Sequence, residues 1–146
     1  MMSINAIFDV AGSAMSAQSV RLNTVASNLA NAQSASSSVG GTYRARHPIF
    51  APIHDAAMNG ESGFGADDGA SAGVQVLGVV ESQAPLEPRY EPSHPLADEK
   101  GYVYYPNVNV VEEMADMISA SRSFQINVQI AEAAKTLSQR VLALGQ

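Results

Sequence analysis

Residues 4–32 read INAIFDVAGSAMSAQSVRLNTVASNLANA, and apolar or small residues recur in this stretch at alternating steps of four and three. Such a 3.5-residue repeat is typical of a coiled-coil seam, and Gln18 is its one polar interruption. Only Asp9 and Arg21 are ionisable within residues 1–32. A helix on the surface of a lone domain normally turns a charged face to water, so this pattern predicts a long helix that packs against neighbouring helices in a larger assembly.

A second long helix is predicted over residues 108–144, where Asn107 or Asn109 is a plausible cap. Glu112, Glu113 and Asp116 fall in its first turns, where carboxylates favour the positive end of the helix dipole. We therefore interpret this acidic cluster as a helix start and not as a pair of catalytic carboxylates.

The apolar stripes of the two helices define the predicted assembly interface. In the first helix they comprise Ile4, Phe8, Met15, Leu22, Val25 and Leu29. In the second they comprise Met117, Phe124, Val128, Ala131, Leu137 and Val141. Asn has a poor helix propensity, so Asn28 and Asn31 are candidates for polar contacts that fix the register between helices, as buried Asn does in coiled coils.

The middle of the chain, residues 34–107, holds all seven prolines and most of the glycines. Residues 74–80 are β-branched and flanked by glycine and polar residues, which predicts a strand. Residues 42–50 favour an extended segment, and a short strand is predicted at Tyr102–Tyr105. Residues 84–95 carry four prolines, which predicts extended, irregular chain.

These patterns divide the chain into an N-terminal helix at 1–33, an insert at 34–107 with a mobile loop at 56–73, and a C-terminal helix at 108–146. The short, glycine-rich insert cannot cover both helices, so they are expected to form one discontinuous helical core. The predicted fold class is α+β, mainly α, with two long terminal helices in an antiparallel, coiled-coil-like pair and a small β-rich, loop-rich middle segment.

Composition excludes several functions. The net charge is −6 with 8 Lys and Arg among 146 residues, which argues against nucleic-acid binding. There is no cysteine, so disulfides, thiol nucleophiles and zinc–thiolate sites are excluded. Charged residues reach 15%, against about 25% in an average soluble domain. No window is apolar enough to predict membrane insertion, and the N-terminus lacks the features of a cleavable leader.

Motifs that carry chemistry are sparse. His47, His54 and His94 lie in predicted non-helical chain without the spacing of a metal site. The tyrosines of Tyr102–Tyr105 could stack on a sugar or a base, although packing of a small β element against the helices is the more common reason for such a cluster. We expect no catalytic, cofactor-binding or metal-binding residues, and no enzymatic activity.

Several stretches of the chain resemble a known family, at both ends and in patches of the middle. Residues 21–32, RLNTVASNLANA, resemble the N-terminal signature of the bacterial flagellar rod and hook proteins. Residues 101–117 and 120–127 are similar to the proximal-rod members of that family, as are residues 43–46 and 94–98. Residues 56–73 match no motif of the family.

The resemblance implies a structural subunit of the flagellar proximal rod, the drive shaft that crosses the periplasm and transmits torque from motor to hook. It implies homo- and hetero-oligomeric assembly into a helical tube. The implied partners are other proximal and distal rod proteins, the protein at the junction of the MS ring and the rod, and the flagellar type III apparatus, which exports such subunits without a cleaved leader. No nucleic acid, no cofactor and no direct membrane insertion are implied.

Two functions of other classes stay open at this point. An export adaptor or regulator would bind axial proteins transiently and would be absent from isolated basal bodies. A muralytic enzyme would act from Tyr102–Tyr105 or from the acidic cluster, and replacing Glu112 and Glu113 together would abolish its activity.

Overall fold

The structure is a computed structural model and describes residues 4–54 and 71–144. The elements in chain order are α1 (Ile4–Asn31), β1 (Arg46–His54), β2 (Ser71–Glu81), β3 (Glu87–Tyr90), β4 (Tyr102–Tyr105) and α2 (Val110–Leu144). Most of the predicted mobile loop at 56–73 lies outside the described residues, and its last three residues begin β2. The predicted α+β class, with long helices on either side of a small β middle, is confirmed.

Two helices of 28 and 35 residues pack against each other and form the core of the molecule. Asn28 near the end of α1 contacts Glu113 near the start of α2, whereas Val10 and Asn127 line one cavity at the other end, so the helices are antiparallel. The buried apolar side chains of the two helices are small, which allows close packing of the helices. They are Ala11, Ala17, Val25, Ala120 and Ala134.

The start of α2 is capped by Asn109, one of the two predicted caps. Its Oδ1 accepts a hydrogen bond from the backbone N–H of Val111 at 3.1 Å, which satisfies a donor that the helix leaves unpaired. Asn107 has a different role: its Oδ1 accepts from the N–H of Ala45 at 2.8 Å, and its Nδ2 donates to the carbonyl of Ala84 at 2.9 Å. Asn107 therefore ties the chain before α2 to the two segments that flank the β1–β2 hairpin.

Strands β1 and β2 form a long antiparallel hairpin that pairs Arg46 with Glu81 at its base. The predicted strand at 74–80 is confirmed and extended at both ends. The hairpin lies along α1, where the N–H of Val74 donates to Ser13 Oγ at 3.2 Å. Gly73 has a φ of +148°, and a Cβ there would clash with the Ser13 hydroxyl, so this close approach requires glycine.

Strands β3 and β4 form a second, two-stranded antiparallel sheet. The prediction of irregular chain over 84–95 is wrong for Glu87–Tyr90, which pairs along its whole length with β4. The pairing tolerates Pro88 because β3 is an edge strand, where a missing N–H costs no ladder hydrogen bond.

The tyrosine cluster packs mainly within this second sheet. Tyr90 and Tyr102 meet edge to face with ring centroids 5.4 Å apart, and the guanidinium of Arg89 lies 4.5 Å from the ring centroid of Tyr105. The sheet is joined to the chain after α1 by a bridge in which the Tyr104 N–H donates to the Ser36 carbonyl at 2.9 Å. Neither helix of the described ranges has a stretch long and apolar enough to cross a membrane.

Candidate assembly interface

Asn28 is fully buried where α1, α2 and the start of β1 meet, and it uses its whole hydrogen-bonding capacity. Its Nδ2 donates to the carbonyl of Arg46 and to Glu113 Oε1, each at 2.9 Å. Its Oδ1 accepts from the N–H of Arg46 and from the Tyr43 hydroxyl, again each at 2.9 Å. A side-chain amide offers two donor hydrogens and two acceptor lone pairs, and all four are satisfied here. We call Asn28, Tyr43, Arg46 and Glu113 the Asn28 clamp.

The clamp joins three parts of the chain through one side chain. Asn28 belongs to α1, Glu113 to α2, and Arg46 is the first residue of β1. The cross-helix hydrogen bond predicted for Asn28 is therefore present, and it explains why a poor helix former lies inside a helix. Asn31, the other candidate, instead donates to the Ser27 carbonyl of its own helix at 2.8 Å.

The acidic cluster at the start of α2 does more than favour the helix dipole. Glu113 is 5% exposed and accepts from Asn28, and Asp116 accepts from Arg21 Nη2 at 2.6 Å. Glu112 and Glu113 lie in the first turn of α2, as predicted, and Glu113 and Asp116 in addition face α1. The Arg21–Asp116 pair is partly exposed, so water screens it and it orients the helices more than it stabilises them.

The surroundings of Glu113 raise the pKa of its carboxyl group. Burial raises the pKa of this carboxyl above its ordinary value of 4.5, and the hydrogen bond from Asn28 and the charge on His47 lower that pKa in part. The carboxylates of Asp116 and Glu112 add to the rise of the pKa. The folded chain therefore binds this proton more tightly than the unfolded chain does.

Replacing Glu113 by Gln is expected to preserve the hydrogen bond from Asn28 and to remove the pH dependence due to this group. Because the pKa is raised on folding, the carboxyl contributes most to stability below its unfolded pKa, and that contribution is lost as pH rises through the folded pKa. The Gln variant should therefore gain stability relative to the parent between about pH 4 and pH 7. Thermal unfolding of both chains across that range measures this gain, and a relative loss would contradict the assignment.

A second group of hydrogen bonds holds the chain that leads into β1. Arg44 Nη1 donates to the carbonyls of Ser82 and Ala84 at 3.1 and 3.2 Å. Arg46 Nη2 forms an ion pair with Glu81 Oε1 at 3.0 Å across the base of the hairpin. These contacts position the backbone of Arg46 against Asn28, so the clamp is supported from the side away from the helices.

The residues predicted for the assembly interface fall into three groups by exposure. Val25 and Asn28 are buried between elements of the chain itself. The half-buried ones are Met15, Leu22, Leu29, Asn31, Met117, Phe124, Val128 and Ala131. Phe8, Leu137 and Val141 are exposed, and the side chain of Ile4 lies outside those described. Of the apolar residues predicted for α1, Val25 is therefore the one that the described chain itself buries.

Apolar side chains are exposed along the length of α2. They recur mostly at steps of three and four, and the exposed fraction reaches 75% at Val111. We call them the outer ridge of α2: Val111, Met114, Ile118, Ile126, Ile130, Leu137 and Val141. Monomeric soluble proteins rarely expose contiguous apolar surface of this kind unless it binds a partner.

Metal-binding groups and polar cavities are the features of the described residues that could support catalysis or ligand binding. In residues 4–54 and 71–144, no group of three His, Asp or Glu side chains could hold a metal ion. A polar cavity of about 410 Å³ lies beside the end of α1 and includes Arg44 and Arg46 in its lining. Both guanidinium groups already bind acceptors of the chain, Arg44 to carbonyls and Arg46 to Glu81.

A charge-poor first helix, an internal clamp to the second helix and exposed apolar side chains along α2 fit a structural subunit of a helical assembly. Comparisons with known proteins agree with this class. Residues 8–33 match the family model described as flagella basal body rod protein. Residues 99–144 match the one described as flagellar basal body rod FlgEFG protein C-terminal. The first match falls in α1 and the loop after it, and the second covers β4 and α2.

Curated relatives extend the match over almost the whole chain. The flagellar basal-body rod protein FlgC of Escherichia coli O157:H7 is 49% identical over 140 residues, which cover 96% of each chain. FlgC of Yersinia enterocolitica is 46% identical, with 99% of this chain and 100% of the relative covered. FlgC of Borreliella burgdorferi is 36% identical, with 94% and 95% covered. The chain therefore belongs to the FlgC family of flagellar basal-body rod proteins, which confirms the resemblance found in the sequence.

Proposed function

We propose that the chain is a structural subunit of the proximal rod that assembles through its terminal helices into a helical tube and transmits torque from motor to hook. The observation that carries this proposal is the outer ridge of α2, which nothing in the described chain covers. A head-to-tail contact that does not close on itself generates a tube or filament. Low charge on α1 suits close packing with neighbouring subunits.

The domain organisation follows the same logic. We propose that residues 1–33 and 108–146 act as one discontinuous helical core, and that the insert at 34–107 forms a smaller element beside it. The Asn28 clamp supports this proposal, since it connects both helices to the first residue of the β1–β2 hairpin. A subunit that transmits torque needs such a rigid connection between its inner and outer parts.

The proposed partners are other rod proteins, proximal and distal, the protein at the junction of the MS ring and the rod, and the type III apparatus that exports the subunit. The proposed location is the part of the basal body that spans the periplasm. We propose no catalytic activity. Family membership supports these assignments, together with a polar cavity whose basic side chains already have partners in the chain.

Introducing charge on the ridge tests the proposed assembly. The double variant Leu137→Asp and Val141→Asp changes two exposed side chains, so we expect unfolding of the isolated chain to change little. The number of rods recovered from cells should fall by about tenfold or more. The reason is that a carboxylate buried at a contact without an ionic or hydrogen-bonding partner is strongly unfavourable. Gln139→Asp is the matched control, since Gln139 is exposed on another side of α2. Normal rods in the double variant would contradict the proposal.

A further inference from the structure

Strand β1 has two edges, and a strand pairs with one of them. That edge pairs with β2 along its length, and no strand in residues 4–54 and 71–144 lies against the other. We call this other side the outer edge of β1. An unpaired edge normally offers a row of main-chain N–H and C=O groups to which a strand of another chain can add. The groups that the outer edge carries therefore decide whether the folded chain can bind a further strand.

Hydrogen bonds at the base of the hairpin show which residues of β1 turn their main-chain groups to the outer edge. The carbonyl of Ala45 accepts from the N–H of Ser82, across the hairpin, at 2.7 Å. The N–H and carbonyl of the next residue, Arg46, both bond instead to the side chain of Asn28. Main-chain groups of an antiparallel strand alternate between its two edges, so steps of two from Arg46 give the outer positions. They are Arg46, Pro48, Phe50 and Pro52.

This alternation continues through the irregularity in the hairpin. The register shifts between Ile49 and Phe50, where the extra residue belongs to β2. Beyond the shift, Val74 pairs with Pro52, and the N–H of Val74 donates to Ser13 Oγ on α1. Val74 and Pro52 therefore form a pair whose main-chain groups point away from each other, as the count from the base of the hairpin requires.

Three of the four outer positions cannot donate a hydrogen bond to an added strand. Proline has no N–H, which removes the donors at Pro48 and Pro52. The amide of Asn28 already bonds to the N–H and the carbonyl of Arg46, as a neighbouring strand would. Of these four positions, Phe50 alone keeps an N–H that an added strand could use.

A second copy of β1 is the strand that this edge would fit if its donors were present. Two β1 strands can pair antiparallel about a two-fold axis at Phe50, with position 48 of each copy opposite position 52 of the other. Such a contact needs a single surface, because the same residues serve both copies. The hairpin also exposes apolar side chains, from 38% at Phe50 to 64% at Leu77. An open edge beside exposed apolar side chains favours edge-to-edge association.

We propose that Pro48, Pro52 and the amide of Asn28 close the outer edge of β1 against pairing with a second copy of this chain. Asn28 covers the first outer position, and the two prolines remove the donors on both sides of Phe50. The folded chain therefore resists edge-to-edge dimerisation although its hairpin exposes apolar side chains. This inference is independent of the proposed function, because it concerns the self-association of the isolated chain.

Restoring the two missing donors tests the proposal. Pro48→Thr combined with Pro52→Thr adds an N–H at each position in a residue type that favours strands, and it leaves the Asn28 clamp intact. In sedimentation of the full chain we expect self-association about 100-fold tighter than in the parent, because each dimer can form four more main-chain hydrogen bonds. Pro85→Thr combined with Pro95→Thr is the matched control. Both of these prolines are exposed and lie outside strands, so this variant should sediment like the parent.

A disulfide at position 50 locates the contact. The chain has no cysteine, and the two-fold axis brings the Cα atoms of the two copies of residue 50 to about 5.5 Å from each other. A disulfide spans such a distance. Phe50→Cys should therefore form a disulfide-linked dimer under mild oxidation when Pro48→Thr and Pro52→Thr are present, and should form none by itself. Leu77→Cys, on the neighbouring strand, should form none in either background.

Three results would overturn the proposal. The first is a folded double variant, with a circular dichroism spectrum like that of the parent, that self-associates no more than the parent does. The second is a dimer of the double variant that Phe50→Cys does not cross-link. The third is a disulfide-linked dimer of Phe50→Cys with both prolines in place. If the double variant did not fold, Pro52→Thr alone would replace it, with tighter self-association than in the parent expected and unchanged self-association contradicting the proposal.

Discussion

Replacing Asn28 by Ala is expected to lower the free energy of unfolding by about 3 kcal/mol or more, because a buried polar group left without a partner costs ~1–3 kcal/mol. The change removes four hydrogen bonds at once. It leaves the N–H and carbonyl of Arg46 and the carboxyl of Glu113 without this partner inside the molecule. A loss of that size is a large share of the ~5–15 kcal/mol that stabilises a typical domain. Denaturant unfolding of the purified chain measures it.

Two variants separate the hydrogen bonds from the volume of the side chain. Asn28→Asp keeps the shape and both acceptor bonds but loses both donors, and it places a second carboxylate against Glu113. It should be at least as unstable as the Ala variant at neutral pH and should recover as pH falls, since a like charge raises the pKa of both carboxyls. Asn31→Ala, one turn away, should cost well under ~1 kcal/mol because its bond lies within its own helix. Equal losses at 28 and 31 would contradict the clamp.

Replacing Ala120 by Leu is the second change for which we expect a large effect. Ala120 has no exposed surface and lies on the side of α2 that packs against α1, as do Glu113 and Ala134. Extra methylene groups in a close-packed contact typically cost about 1–3 kcal/mol because neighbours must move. Here the helices themselves must separate, which also stretches the Asn28–Glu113 hydrogen bond. We expect a lower melting temperature and a loss of assembled rods.

Ala133→Leu is the matched control for this prediction. Ala133 lies on the same helix and is exposed, and Leu has nearly the helix propensity of Ala, so the isolated chain should unfold at nearly the same temperature. Thermal unfolding followed by circular dichroism compares the two variants directly. If the Ala120→Leu variant had the same melting temperature as the parent chain, the close packing of α2 against α1 at position 120 would be contradicted.

The helices could be predicted from sequence because their signal is local and long. The repeat through residues 4–32 and the stripe from 108 to 144 each persist over many turns, and the structure places the helices at Ile4–Asn31 and Val110–Leu144. The strand at 74–80 was predictable for the same reason, since β-branched residues follow one another there. Only the ends of these elements differ from the prediction, because terminal hydrogen bonds decide them.

The partners of Asn28 could not be predicted, because they are distant in sequence. Glu113 is 85 positions away and Tyr43 is 15, and only the tertiary fold brings them together. Asn28 and Asn31 look alike in sequence, yet one is buried and the other bonds within its own helix. Strand β3 was likewise not predicted, because the prolines in residues 84–95 indicated irregular chain. A proline that would weaken a central strand is tolerated in an edge strand.

The most direct test of the central claim is mass spectrometry of purified, detergent-resistant basal bodies from the source cells. The account predicts that this chain is stably present in the rod fraction, together with the other axial proteins. If the chain were instead absent from that fraction and found free in the cytoplasm, the structural role would be contradicted, and transient binding to axial proteins as an export adaptor would explain the family match.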